Sequence, residues 1–109
     1  MLELADRKCQ HTEVVAAKGR LDRSTSRLLE AHCRDLLHAG CKSVVLDFQE
    51  LNSLDSEALR SILGLSKHIH AGGGKMVFTG IRGRVRDMFD IAGFLDAFPV
   101  VDQVESDLP

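Results

Sequence analysis

The chain has 109 residues, 44% hydrophobic and 28% charged, with a net charge of −2. That length holds one domain around one core, and the charge gives no electrostatic ground for direct nucleic-acid or anionic-membrane contact. Five Phe with no Trp or Tyr leave little aromatic surface for stacking on bases or sugars.

In chain order, Leu2 to Lys8 alternates weakly and reads as a first strand, and Thr12 to Lys18 is β-branched and ends at Gly19. A short turn near Gln10 and His11 would make the two antiparallel neighbours. The first nine residues, "MLELADRKC", have no apolar signal-peptide core, and no run reaches the length of a membrane span. The expected location is the cytoplasm, without membrane insertion. Asp22 and Ser24 suit a helix N-cap, and Leu28, Leu29, Ala31, His32, Cys33, Leu36 and Leu37 recur at helical spacing up to a stop at Gly40.

Ser43 to Phe48, "SVVLDF", is a compact apolar strand of the kind buried in parallel sheets. A short polar loop, "QELNSL", leads to a helix entered by Asp55, Ser56 and Glu57, with a stripe of Leu59, Ile62, Leu63, Ser66 and Ile69 and a stop at 71–75. "KMVFTG" is a further buried strand. Val85, Met88, Phe89 and Ala92 mark a third helix, stopped by Gly93, and Val100 to Asp102 a last short strand. The order β-β-α-β-α-β-α-β gives an α/β fold with a mostly parallel sheet of about five strands, the first an antiparallel arm. Cys9, Cys33 and Cys41 are odd in number and widely spaced, which fits reduced thiols rather than a disulfide framework.

Catalytic chemistry finds no constellation. "HAGGGK" follows a helix and lacks the Ser or Thr that a phosphate-binding loop puts after its Lys. His68 and His70, two apart on a helix, diverge and do not share a metal. Ser56 stands between Asp55 and Glu57, which oppose an alkoxide, and those two carboxyls share one helix entrance rather than facing across a cleft. Neither a catalytic residue, a metal nor a cofactor is expected. Arg82, Arg84 and Arg86 sit near a helix N-terminus that favours anions, although a solvated basic face is the simpler account. The cluster at 55–57 needs no function in itself, because Asp and Ser cap orphan N–H groups and Glu gains from the helix dipole. Its place at the carboxyl end of a buried parallel strand is nevertheless where α/β sheets put their sites.

From Leu2 to Glu105 the chain resembles the STAS domain of the anti-sigma factor antagonists. The matching motifs are Gly19-Arg20-Leu21-Asp22, the strand "VVLDF" at 44–48, the helix entrance at Asp55, "GGKMVF", and "RVRDMFDIAGFLDAF". The resemblance implies a single STAS domain over 1–109 with helices packed largely on one face of the sheet. It implies a partner-switching regulator of transcription, not an enzyme. Such an antagonist binds an anti-sigma factor that is a serine/threonine kinase, is phosphorylated by it, and is reset by a PP2C-type phosphatase. Partner binding then falls to Asp22, Asp55, Ser56, Glu57, Ala58 and Arg60. The family's phosphoacceptor position is Glu57 here, and Ala58 replaces a Gly. Glu57 imitates the phosphorylated state, or the acceptor has moved to Ser56 or, less favourably, Ser53, or the switch is gone. Other STAS roles are a lipid-transport ABC ATPase subunit, a stressosome-like scaffold, or a nucleotide-binding module using helix ends near Asp55 and Gly83.

Overall fold

A computed structural model describes residues 1–9 and 12–101. In chain order the elements are β1 (Leu2–Cys9), β2 (Thr12–Leu21), α1 (Ser26–His38), β3 (Ser43–Asp47), β4 (Leu51–Leu54), α2 (Ser56–Ala71), β5 (Met76–Thr79), α3 (Gly83–Ile91), α4 (Phe94–Ala97) and β6 (Val100–Val101). The strands form one sheet in the order β1-β2-β3-β5-β6, with β4 also on β2. β1 runs antiparallel to β2, from Leu2 opposite Gly19 to Cys9 opposite Thr12. Every other pairing is parallel. The turn expected at Gln10 and His11, and the end of the last strand at Asp102, lie outside the described residues.

Period-two alternation sorts the strand residues between the two faces. Val15, Ala17, Val44, Leu46, Met76 and Phe78 point into one large core, which also takes Leu29 and Cys33 from α1, Ile62 and Leu65 from α2, Val85 and Phe89 from α3, and Phe94 from α4. All four helices therefore feed one face. Among the described residues the opposite face carries a thin valine layer of Val14, Val45 and Val77 with Val101 against it.

Three elements depart from the expectation. The segment expected as a polar loop contains β4, whose Leu51 and Leu54 are buried while Asn52 is exposed. Its apolar residues are three apart, so no strand alternation is visible in the sequence. β2 does not stop at Gly19 but runs on to Leu21, because its second half pairs with β4, with a register shift between Gly19 and Arg20. Gly19 has φ of 114° there, and a Cβ would lie 2.2 Å from the Met1 carbonyl oxygen, so glycine is required. The short α4 was also not expected: Gly93 stops α3 but then, at φ of 78°, serves as the N-cap of α4.

The helix stops follow the sequence. After α1 the Gly40 and Cys41 amides donate to the Leu37 and Leu36 carbonyls, and after α2 the Gly74 amide donates to Ile69, both using free C-terminal carbonyls. The buried stripe of α2 is Ala58, Ile62, Leu65 and Ile69. Leu63, expected inside, is 40% exposed, since the helix is turned toward Ala58 and Leu65. Among the described residues no helix is long and apolar enough to cross a membrane.

Candidate functional site

The β4 pairing fixes the entrance of α2 against the end of β2. The Asp55 amide donates to the Leu21 carbonyl at 3.2 Å, which sets the residue after Leu21 beside the α2 cap. Asp22 and Asp55 accordingly line one open cleft of about 470 Å³, with Arg23, Ser24 and Arg27.

Asp55 is the N-cap of α2. Its backbone is extended and its Oδ1 accepts from the Ala58 amide at 2.9 Å, the bond that satisfies an orphan donor of the first turn. Ser56 and Glu57 follow, both exposed. Glu57 lies over the positive end of the helix dipole and 3.7 Å from Arg60 one turn on. Both side chains are well exposed, so that ion pair holds them only weakly. Ala58, expected on the partner surface, has no exposure and belongs to the core beneath the helix. It sets how closely α2 approaches the sheet and offers a partner nothing to touch. Ser53 is half-buried on β4, behind the entrance rather than on it.

Asp22 organises the second half of the site. Its Oδ1 accepts from the Ser24 hydroxyl at 2.7 Å, the Ser24 amide at 2.9 Å and the Thr25 amide at 3.0 Å. The Thr25 hydroxyl in turn donates to the Arg20 carbonyl at 2.9 Å. Asp22 therefore caps the turn that leads into α1, although the helix proper begins at Ser26 with Thr25 at its N-cap position. The Ser24 hydroxyl first, and then the Thr25 amide, lower the Asp22 carboxyl from 3.8 to about 2, because hydrogen bonds to the ionised form favour it. A carboxyl with a depressed pKa stabilises the fold above its unfolded value, and that contribution fades as pH falls through the folded one. Carbon-detected NMR should place the Asp22 midpoint near 2, and Ser24→Ala should move it upward toward 3.8.

The remaining candidates lie away from this cleft. Arg82, exposed at the N-cap of α3, donates from Nε to the Gln49 carbonyl at 3.0 Å with Nη2 on the same oxygen, and so ties α3 to the β3–β4 turn. Arg84 and Arg86 are exposed, as are His68 and His70 on the last turn of α2. His32 reaches across to Asp6 of the β1 arm at 2.6 Å. Cys33 is fully buried, and that desolvation, with the Asp6 and Cys41 charges behind it, raises its thiol to about 12, which keeps it protonated and inert. Sequence reasoning missed the arginines of α1 and of the turn before it. Arg23, Arg27 and Arg34 line a second cleft, between α1 and α2, that also takes in Glu57 and Arg60. Their spacing of four and seven residues was the available signal.

The STAS domain family model matches residues 6–106 of the chain. BtrV of Bordetella bronchiseptica, whose name describes an anti-sigma factor antagonist, is 30% identical over 93 residues, 85% of this chain and 80% of that protein. The anti-sigma F factor antagonist of Paenibacillus polymyxa is 29% identical over 90 residues, 82% of this chain and 77% of its own length. Among solved structures, the Bacillus anti-sigma factor antagonist SpoIIAA superposes with a TM-score of 0.73 in both its unphosphorylated and phosphorylated forms, at 18% and 19% identity, over 98% of this chain and 93% and 95% of those. With that sheet order, that antiparallel arm and a motif-bearing helix entrance at Asp55, the chain belongs to the STAS domain family, among the anti-sigma factor antagonists.

Proposed function

We propose that the chain is a cytoplasmic partner-switching regulator that binds an anti-sigma factor of the serine/threonine kinase type and so releases a sigma factor. The docking surface is the entrance of α2, with Asp22 alongside. The observation that carries this reading is the exposure of Ser56 and Glu57 on the first turn of α2, directly after a cap that is itself hydrogen-bonded to the end of β2. Charge placed there faces a partner and leaves the fold intact, because a helix N-terminus tolerates negative charge. Glu57 holds the position of the family's phosphoacceptor and keeps about one negative charge there. A PP2C-type phosphatase has a substrate only if the acceptor has moved to the neighbouring Ser56 or, less favourably, to the half-buried Ser53. SpoIIAA, of the same fold and solved in an unphosphorylated and a phosphorylated form, supports reading the chain as a relative of phospho-regulated antagonists.

Calorimetry of the purified chain against each kinase-type anti-sigma factor of its own cell, and against the ATPase subunits of its lipid transporters, tests the proposal. Micromolar or tighter binding to one such kinase, lost in Asp22→Ala/Asp55→Ala, is expected. Binding to an ATPase subunit with none to any kinase overturns it.

A further inference from the structure

We infer that the cleft between α1 and α2 is a docking groove for an acidic segment of the protein partner, an inference that rests on the partner-binding reading above. Arg27 and Arg34, seven residues apart on α1, share one helix face, and Arg23 leads into it from the preceding turn. With Arg60 of α2 they line an open cleft of about 410 Å³. All four are exposed. Among the described residues Arg23, Arg27 and Arg34 have no ion-pair partner within 4 Å, and Arg60 has only its loose contact with Glu57.

The two carboxylates in the cleft do not balance them. Glu30 is engaged across the helices as acceptor for the Ser61 hydroxyl, and Glu57 stands at the open end beside the α2 cap. Four guanidinium groups therefore face two carboxylates inside the groove. The Asp22 and Asp55 carboxylates that share the adjoining cleft with Arg23 and Arg27 are engaged by the Ser24, Thr25 and Ala58 amides, so the excess of positive charge lies toward the Arg34 and Arg60 end. Guanidinium forks match carboxylates in geometry as well as charge.

A second feature points to the same occupant. Gly64 lies in the groove, in the interior of α2. Its backbone needs no glycine, and an added Cβ would meet nothing within 4 Å. Glycine in a helix interior is destabilising relative to alanine, and nothing inside the chain compensates. A partner backbone laid against the helix would use that missing side chain. The partner is protein rather than nucleic acid: Glu30 and Glu57 interrupt the arginines where a continuous phosphate backbone would pass, and the chain has no Trp or Tyr for bases.

The test titrates the isotopically labelled chain with a deca-glutamate peptide and, in parallel, with a ten-nucleotide oligothymidylate. Amide shifts confined to Arg27, Glu30, Ser61 and Gly64 are expected with the peptide, fading as salt is raised from about 50 to about 500 mM. Arg27→Glu/Arg34→Glu, at two exposed positions, abolishes them while the chain stays folded, its Tm lowered by no more than a few degrees through the new like-charge contacts with Glu30. Gly64→Ala raises the Tm yet weakens the peptide at least threefold. No shifts at millimolar peptide, shifts spread equally over Arg84 and Arg86, or an oligonucleotide that binds as well each overturn the inference. The anti-sigma kinase supplies the second arm, with at least a tenfold loss of affinity expected in the double arginine variant. A kinase that binds that variant as tightly as the parent overturns the groove alone. If no kinase binds the parent, the partner-switching reading fails, and the peptide titration still decides the groove.

Discussion

Replacing Phe78 by alanine lowers the unfolding free energy by about 3–5 kcal/mol, the largest single-residue stability effect expected in this chain. Phe78 is fully buried and stands at the centre of an aromatic cluster. Its ring centroid is 5.0 Å from Phe89, 5.7 Å from Phe48 and 5.4 Å from Phe98, all at tilted or edge-on angles, the geometry in which aromatic pairs attract beyond their area. These rings join β5, the end of β3 and helices α3 and α4, so truncation opens a cavity among elements that cannot all close on it. For a domain of this length the loss corresponds to a fall in Tm of roughly 15 °C or more. Phe98→Ala, half-buried at the cluster edge, should cost clearly less. Equilibrium urea unfolding of both variants checks the ranking, and equal losses would mean the core is not organised around Phe78. The cluster lies at the α3–α4 end, so a folded Phe78→Ala protein should keep its affinity for the partner.

That separation between core and site explains how much could be read in advance. Strands and helices announced by consecutive apolar residues or by glycine stops were legible: "SVVLDF" and "KMVFTG" are the centre of the sheet, and the glycines at 40, 72 and 93 end helices. β4 was not legible. Leu51 and Leu54 are the buried pair, separated by Asn and Ser, and what makes the segment a strand is a pairing with Gly19 to Leu21 of β2, far back in the chain. No local pattern carries that information. The rotation of α2 was similarly hidden. Leu63 and Leu65 are equally apolar, and burial chose Leu65 because tiny Ala58 sits directly against the sheet and turns the helix that way.

The candidate site was half legible for the same reason. Asp55 as a cap follows from local sequence, and the structure places its carboxylate on the Ala58 amide. The nearness of Asp22 depends on the Leu21–Asp55 backbone bond, hence on β4. The resemblance suggested Asp22 without showing how it arrives. Arg27 and Arg34 went unremarked in the sequence, because only the packing of α2 beside α1 gathers them into a cleft with Arg60.

Glu57→Ser should tighten binding to the cognate anti-sigma factor about fivefold to tenfold while slightly destabilising the free chain. The two effects have opposite signs because they have different physical sources. In the free chain Glu57 interacts favourably with the helix N-terminus, by about 0.3–1 kcal/mol, and that is lost. At the interface Glu57 opposes an incoming carboxylate. One unit charge at about 7 Å, in an effective dielectric of about 40, is worth roughly 1.2 kcal/mol. Removing it also frees Arg60 from its 3.7 Å contact to join Arg23, Arg27 and Arg34 in the groove. The gain should therefore shrink at high salt and shrink again in the Arg27→Glu/Arg34→Glu background, a coupling that a double-mutant cycle reads directly. Incubating Glu57→Ser with the kinase and ATP should add one phosphate and cancel the gain, since a phosphate carries about −1.5 to −2 charge against about −1 for the glutamate. Mass spectrometry of the unsubstituted chain under the same conditions asks whether Ser56 has taken over the role. Phosphate there, lost in Ser56→Ala, would show a switch moved by one residue. Unchanged affinity in Glu57→Ser, with no phosphate incorporated, would mean that charge at the α2 entrance is not what this partner reads.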